Sequence, residues 1–204
     1  MGVDMNEASP RTADKAIARL ATLLGDDTRE RVFVAIDGPC ASGKTTFAQI
    51  LNERFGGNVL HMDDFFLRAE QRMPERLAEP GGNVDRERFE TETLAPLADG
   101  KAARYRPWDC HAGDFAASRT VEPARLTVVE GSYSMHPALR GYYDFMICLA
   151  IDPAEQLHRL ESRNPRMLRR FVDEWIPLEN RYFEATDVRT AADMLVDTAL
   201  PNDA

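Results

Sequence analysis

Apolar residues in this chain gather in short unbroken runs separated by helix-like stretches. Runs at 31–37, 59–62, 126–129, 145–151 and 194–196 read as five strands. The run Phe145-Met146-Ile147-Cys148-Leu149-Ala150-Ile151 shows almost no polar alternation, the pattern of a parallel strand covered on both faces. Between the runs the period becomes helical. Ile17, Leu20, Leu23 and Leu24 predict a helix over 13–24 that ends at Gly25. A second helix is expected over 44–55, broken by Gly56-Gly57-Asn58, and a third over 85–99, with Phe89, Thr93 and Leu97 on one side and Pro96 disturbing its end. Asp152-Pro153-Ala154-Glu155 opens a fourth, with Asp at the cap, Pro in the first turn and Glu three residues after the cap. The helical region 166–184 is expected to kink or break at Pro177. Strands alternating with helices predict a three-layer α/β fold around a mainly parallel five-stranded sheet, and the length suits one domain over 1–204. Residues 1–9 read as a loose tail. Residues 67–84 carry prolines, glycines and charges without periodicity and read as a loop or flap, and Arg104–Trp108 as an exposed extended segment or a hairpin arm.

The first strand runs into Gly38-Pro39-Cys40-Ala41-Ser42-Gly43-Lys44-Thr45, a full G-x-x-x-x-G-K-[ST] phosphate-binding loop. With glycine near ~7% of residues, its four fixed positions coincide by chance in roughly one chain of this length in a hundred. The preceding strand and following helix make coincidence rarer still. Gly38 and Gly43 let backbone amides of Ala41, Ser42 and Thr46 turn toward phosphate oxygens, and the helix N-terminus adds a favourable dipole. Lys44 reaches the β- and γ-phosphates, and the Thr45 hydroxyl suits Mg²⁺. The expected ligands are therefore ATP and Mg²⁺.

In a parallel sheet, ligands gather at the carboxyl ends of the strands. Asp63-Asp64 and Glu130 fall there, suited to holding Mg²⁺ or to taking a proton from an attacking hydroxyl. Asp37, directly before the loop, reads as structural. Arg159, Arg163, Arg166, Arg169 and Arg170 form a basic island with Glu161 alone to balance it inside the span. Followed by Asn164-Pro165, a natural hinge, the 159–170 region reads as a helical lid whose arginines neutralise a transferring phosphoryl group. His61 reads as packed within its strand, His111 as a candidate substrate contact, and His136 and His158 as incidental.

Composition narrows the picture. With 34 acidic against 25 basic side chains the net charge is −9, which argues against general nucleic-acid or anionic-membrane surfaces. The three cysteines show no metal-ligand spacing and suit a reducing compartment; with no secretory signal and no membrane-length apolar run, the expectation is a cytoplasmic protein. Cys40, inside the loop, is either a small tolerated side chain or a redox sensor. The chain lacks the N-K-x-D and D-x-x-G motifs of GTPases and the L-S-G-G-Q signature of transporter ATPases.

Met62-Asp63-Asp64-Phe65-Phe66 is similar to the D-[SD]-F-[YF] segment of the uridine kinase-like P-loop kinases, the group of uridine–cytidine, nicotinamide riboside and pantothenate kinases and phosphoribulokinase. Asn83-Val84-Asp85 resembles their N-x-D, Val128-Val129-Glu130-Gly131 their strand end, and Arg159 through Arg163-Asn164 their R-x-x-x-R-D lid, with Asn164 in place of Asp. The resemblance covers about 31–197. It implies ATP-dependent transfer to a small hydroxyl compound, nucleoside-like, with Asp63 as base, Lys44, Arg159 and Arg163 as catalytic groups, and Thr45, Asp63 and Glu130 around the metal. It further implies a substrate-side flap over 67–115, with Asp64, Arg68, Asp85, Trp108 and His111 toward the acceptor. The family's Tyr-Asp and following His stand here as Trp108-Asp109 and His111 at another spacing. Nicotinamide riboside, pantothenate or a sugar therefore stay open as acceptors, and so does a nucleotide-binding regulator without transfer. The family is often dimeric or tetrameric, and no patch in this sequence decides between a monomer and a homo-oligomer.

Overall fold

The computed structural model describes residues 12–198; the tail expected at 1–9 lies outside the described residues. The strands are β1 (Val32–Asp37), β2 (Asn58–His61), β3 (Ala103–Tyr105), β4 (Trp108–Asp109), β5 (Asp114–Phe115), β6 (Arg119–Val121), β7 (Leu126–Glu130), β8 (Phe145–Ala150) and β9 (Met194–Asp197). The helices are α1 (Thr12–Leu24), α2 (Lys44–Phe55), α3 (Pro74–Ala78), α4 (Arg86–Phe89), α5 (Ala95–Ala98), α6 (Pro153–Arg163), α7 (Leu168–Arg170), α8 (Ile176–Thr186) and α9 (Val188–Ala191).

Five strands pair in the order β2-β7-β1-β8-β9, and each pairing is parallel. Successive side chains of a strand point to opposite faces, so a strand buried on both sides must be apolar throughout. β1 shows this directly: Val32, Val34 and Ile36 pack with Phe47, Leu51 and Leu20 of the α1/α2 layer, whereas Phe33 and Ala35 face Phe65, Phe89 and Tyr182 on the other side. The result is the expected three-layer α/β architecture. Because β1 lies between β7 and β8, whatever leaves its carboxyl end sits over the middle of the sheet.

α6 starts as its sequence dictates: Asp152 accepts from the amides of Ala154 and Glu155, and Pro153 occupies the first turn. Asp85 likewise caps α4 through the Arg88 amide. The prolines disturb their helices without ending them. Neither Pro96 nor Pro177 breaks its helix; instead a π-helical turn forms just before each, Glu90–Leu94 and Phe171–Trp175. A proline lacks the N–H for the i−4 carbonyl and its ring crowds that carbonyl, and widening the preceding turn accommodates both effects without ending the helix. The 67–84 segment is also more ordered than its composition suggested, containing α3 and a 3-10 turn at Ala69–Gln71. Arg104–Trp108 belongs to a hairpin arm, in which β3 pairs with β6 and β4 with β5.

Candidate active site

The chain leaves β1 at Asp37 and turns sharply. Gly38 has φ +144°, and a Cβ there would stand 2.6 Å from the Leu149 carbonyl oxygen, so only glycine fits between loop and β8. Asp37 is fully buried and accepts hydrogen bonds from the Gly38 amide (2.7 Å), the Met135 amide (2.9 Å) and the Tyr182 hydroxyl (2.8 Å). Burial pushes its pKa up to about 6 despite these donors. Asp37 thus braces the root of the loop, as its position suggested.

The phosphate loop delivers the chain to α2 with Gly43 as N-cap in the left-handed region and no side-chain cap. The first-turn amides of α2 therefore carry no competing side-chain acceptor at the cap, the arrangement that favours an anion. The Lys44 ammonium donates to the carbonyls of Gly38 and Pro39 (2.8 Å each) and to Ser132 Oγ (3.3 Å). Ala41, Gly43, Lys44, Thr45 and Thr46 line a cavity of about 290 Å³. Ser42 is fully buried beneath it, and its hydroxyl has no hydrogen-bond partner among the described residues.

Carboxylates enter from the neighbouring strand ends. Glu130, the last residue of β7, is buried, and its Oε1 accepts from the Thr45 hydroxyl (3.1 Å) and meets His61 Nδ1 at 2.5 Å. The hydrogen bond to Glu130 raises the pKa of His61, so this histidine has a specific polar partner rather than a purely apolar setting. Gly131 lets the β7 end approach β2 closely: at φ +136°, a Cβ there would lie 2.8 Å from Met62 Cβ. Residues Met62–Phe65 form one 3-10 turn, not an extension of the strand. With three residues per turn, Asp63 and Asp64 diverge by roughly 120°. Asp63 faces the cavity. The protein crowded around that cleft raises its pKa, Lys44 opposes the rise, and Glu130 and Glu179 add to it. Asp64 turns to the arm, where it accepts from Arg119 (2.7 Å) and Tyr105 (3.2 Å).

Of the expected lid arginines, Arg163 lines the cavity. Arg159 is held instead by Glu155 (2.7 Å) and by the carbonyls of Ala41 (3.3 Å) and Thr198 (3.0 Å), behind the loop. The island is also less basic than its span implied. Arg169 and Arg170 pair one turn onward with Asp173 and Glu174. Beside Arg163, the cavity is bordered by the aromatic pair Phe171 and Trp175, just past this span, edge to face at 4.5 Å on the π turn.

The residues expected toward the acceptor stand outside the cavity walls. Asp85 is occupied by the α4 cap and by Gln71 Nε2 (2.7 Å). Arg68 bonds Gln71 and pairs with Glu70. Trp108 packs on Phe115 within the arm, and His111 is exposed in its turn. The walls in that direction are Phe66, Asn83, Ser132 and Tyr133. Glu179 completes the cavity, a buried carboxylate on α8 that accepts from Ser132 Oγ (2.6 Å) and from the Cys40 amide (2.9 Å). Nothing local in the sequence marks Glu179; Ser132 and Tyr133 had the signal of lying two and three residues past Glu130 at a strand end.

The Thr45 hydroxyl beside the Glu130 carboxylate suits a hard cation such as Mg²⁺, which takes one or two protein oxygens and fills its shell with phosphate and water. No group of three His, Cys, Asp or Glu side chains able to hold a metal occurs among the described residues. The pair therefore fits a shared, phosphate-dependent ion better than a closed protein cage.

No family model and no curated protein matches the sequence. Solved structures do share the fold. A possible uridine kinase from Bacillus stearothermophilus superposes with a TM-score of 0.68 at 22% identity, covering 90% of this chain and 98% of that one. A candidate fructose transport system kinase from Silicibacter sp. TM1040 gives 0.60 at 21% identity, over 92% and 99%. Phosphoribulokinase from Rhodobacter spheroides gives 0.53 at 17% identity, over 86% and 75%. The fold is that of the uridine kinase-like and related P-loop kinases. Among the described residues no helix is long and apolar enough to cross a membrane.

Proposed function

We propose that this protein is a kinase of the uridine kinase-like group that transfers the terminal phosphoryl group of ATP to a hydroxyl of a small molecule, with nucleosides as the first acceptor class. The observation that carries this reading is that one cavity is bounded at once by Lys44, Thr45, Asp63, Glu130 and Arg163. A protein that only binds nucleotide can use one carboxylate for the metal, but has no need of the second carboxylate, Asp63, together with Arg163 at the same cavity. Here Lys44 and the loop amides would hold the phosphates, and Thr45 and Glu130 would hold Mg²⁺, which would neutralise phosphate charge when bound. Asp63, exposed in the cleft with its pKa raised by the protein crowded around it, accepts the proton of the acceptor hydroxyl as the new O–P bond forms and the bond to ADP breaks. Arg163 offsets charge on the transferred group. The neighbours named for uridine, fructose and ribulose phosphate chemistry support a small hydroxyl acceptor over a protein substrate.

The test is ADP release from Mg-ATP across a panel of nucleosides, nicotinamide riboside, pantothenate and sugars. The expected result is acceptor-dependent ADP with one class, abolished by Lys44→Ala, because no water can replace a compact cation at the β/γ position. ATP binding without acceptor-dependent ADP across the whole panel would assign the chain as a nucleotide-binding regulator instead.

A further inference from the structure

A second cavity, of about 360 Å³, opens between α4 and the hairpin arm, lined by Arg88, Glu92, Arg104, Tyr105, Arg106, Phe115 and Ser118. Three guanidiniums line it, in a protein of net charge −9, and while Arg88 has the carboxylates of Asp85 and Glu92 near it, Arg104 and Arg106 have none among the described residues. Arg104 bonds only Ser118 Oγ (3.1 Å), and Arg106 only the carbonyls of Ala116 (2.9 Å) and Phe115 (2.6 Å); neither has an ion pair among the described residues. Arg88 is the buried member, its side chain 14% exposed, with Asp85 at 3.8 Å and Glu92 at 3.6 Å as distant counter-charges.

The cations are also crowded. Arg68, Arg88 and Arg106 all stand over the ring of Phe115, at 5.8, 5.1 and 5.2 Å from its centroid. Arg88 also stands over the ring of Phe65, at 4.4 Å, so two rings serve the three guanidiniums. Burial lowers the pKa of Arg88, and the charge of Arg68 adds to this against the opposing pull of Glu92, Asp85 and Asp64.

We infer that this pocket is a binding site for a phosphate-bearing small molecule, separate from the phosphate loop. A dianionic phosphate group can meet both Arg104 and Arg106, the two guanidiniums without a carboxylate partner, which a single carboxylate charge does not balance. Guanidinium forks offer paired N–H donors to its oxygens. The pocket volume lies within the range of small-molecule sites. Arg88 also donates to the Asp64 carbonyl (3.2 Å), so the site touches the 3-10 turn that carries Asp63 from the side opposite the main cavity.

The probe is inorganic pyrophosphate, titrated into the full chain carrying Lys44→Ala and Trp175→Phe. The first change weakens the phosphate loop, and the second leaves Trp108, packed on Phe115 at 5.2 Å, as the sole tryptophan reporter. A saturable Trp108 response is expected, with affinity reduced about tenfold or more by Arg104→Glu and by Arg106→Ala. Arg106→Lys should keep part of it, as retained charge requires. Arg104→Glu touches only the Ser118 contact, so the arm stays folded, and an unchanged thermal midpoint verifies this. No response at millimolar pyrophosphate, or a response indifferent to both arginine variants, overturns the inference. Neither outcome bears on phosphoryl transfer, which is read by ADP release.

Discussion

Glu179 accepts the backbone N–H of Cys40 at 2.9 Å, so the helix that follows the aromatic pair Phe171 and Trp175 is tied directly to the phosphate loop. The same carboxylate accepts from Ser132, which in turn receives a hydrogen bond from Lys44. Removing it strands the Cys40 amide and leaves Ser132 Oγ with the Gly38 carbonyl (3.1 Å) as its remaining acceptor. Glu179→Ala is expected to cost ~1–3 kcal/mol, each kcal/mol lowering the melting temperature by about 2–4 °C in a domain of this size. Glu161→Ala, on the exposed side of α6, should stay within about 0.5 kcal/mol. Calorimetry on the two variants checks the contrast; equal melting temperatures would remove Glu179 from the loop's support.

Asp63 and Asp64 are adjacent but belong to different parts of the molecule. Asp63→Asn keeps the size and loses the proton acceptor, so turnover should fall by roughly 10²–10⁴ with ATP affinity nearly kept. Asp64→Asn should leave turnover closer to wild type and instead weaken the hold of Arg119 and Tyr105 on the arm, lowering stability by ~1 kcal/mol. Steady-state kinetics with a nucleotide-binding measurement separates the two. If Asp64 carries the kinetic loss, the base is assigned to the wrong residue of the turn.

Asp37 gives a pH signature. Its carboxyl is raised by burial from 3.8 to about 6 in the folded chain. The folded state therefore binds this proton more tightly than the unfolded one, and the stability from the site is full below 3.8 and is lost as pH climbs to about 6. Urea unfolding of wild type and Asp37→Asn across pH 4–7 isolates the contribution, because the other carboxyls cancel in the difference. The wild type should lose stability relative to the variant across that window and run parallel to it above. Parallel curves throughout would contradict the assignment.

The surroundings of Cys40 argue against the redox-sensor reading. Burial pushes its thiol up to about 12, and neighbouring Glu179 adds to the rise. At pH 8 that leaves roughly one part in ten thousand as thiolate. Cys148 is likewise pushed to about 12 by burial, whereas Cys110 is exposed on the arm. Brief alkylation followed by peptide mass spectrometry should label Cys110 first and leave Cys40 and Cys148 largely unmodified. Early labelling of Cys40 would restore a sensing role.

Much of this architecture is written locally in the chain. Residues 145–151 are apolar without alternation because both faces of β8 are covered, and that burial leaves its imprint in adjacent residues. The phosphate loop and the Asp152 cap are legible for the same reason: their geometry is set by residues a few positions apart. Tertiary structure alone decided what depends on residues far apart in sequence. Glu179 reaches Cys40 across 139 positions, and the charges of the 159–170 region are partly spent on Asp173 and Glu174 beyond the span that looked basic. Whether Asp63 or Asp64 faces the cavity rests on a 3-10 turn that Gly131, from another strand, leaves room for. Side-chain pattern records which face an element buries; it does not record which distant donor, charge or backbone will be waiting there.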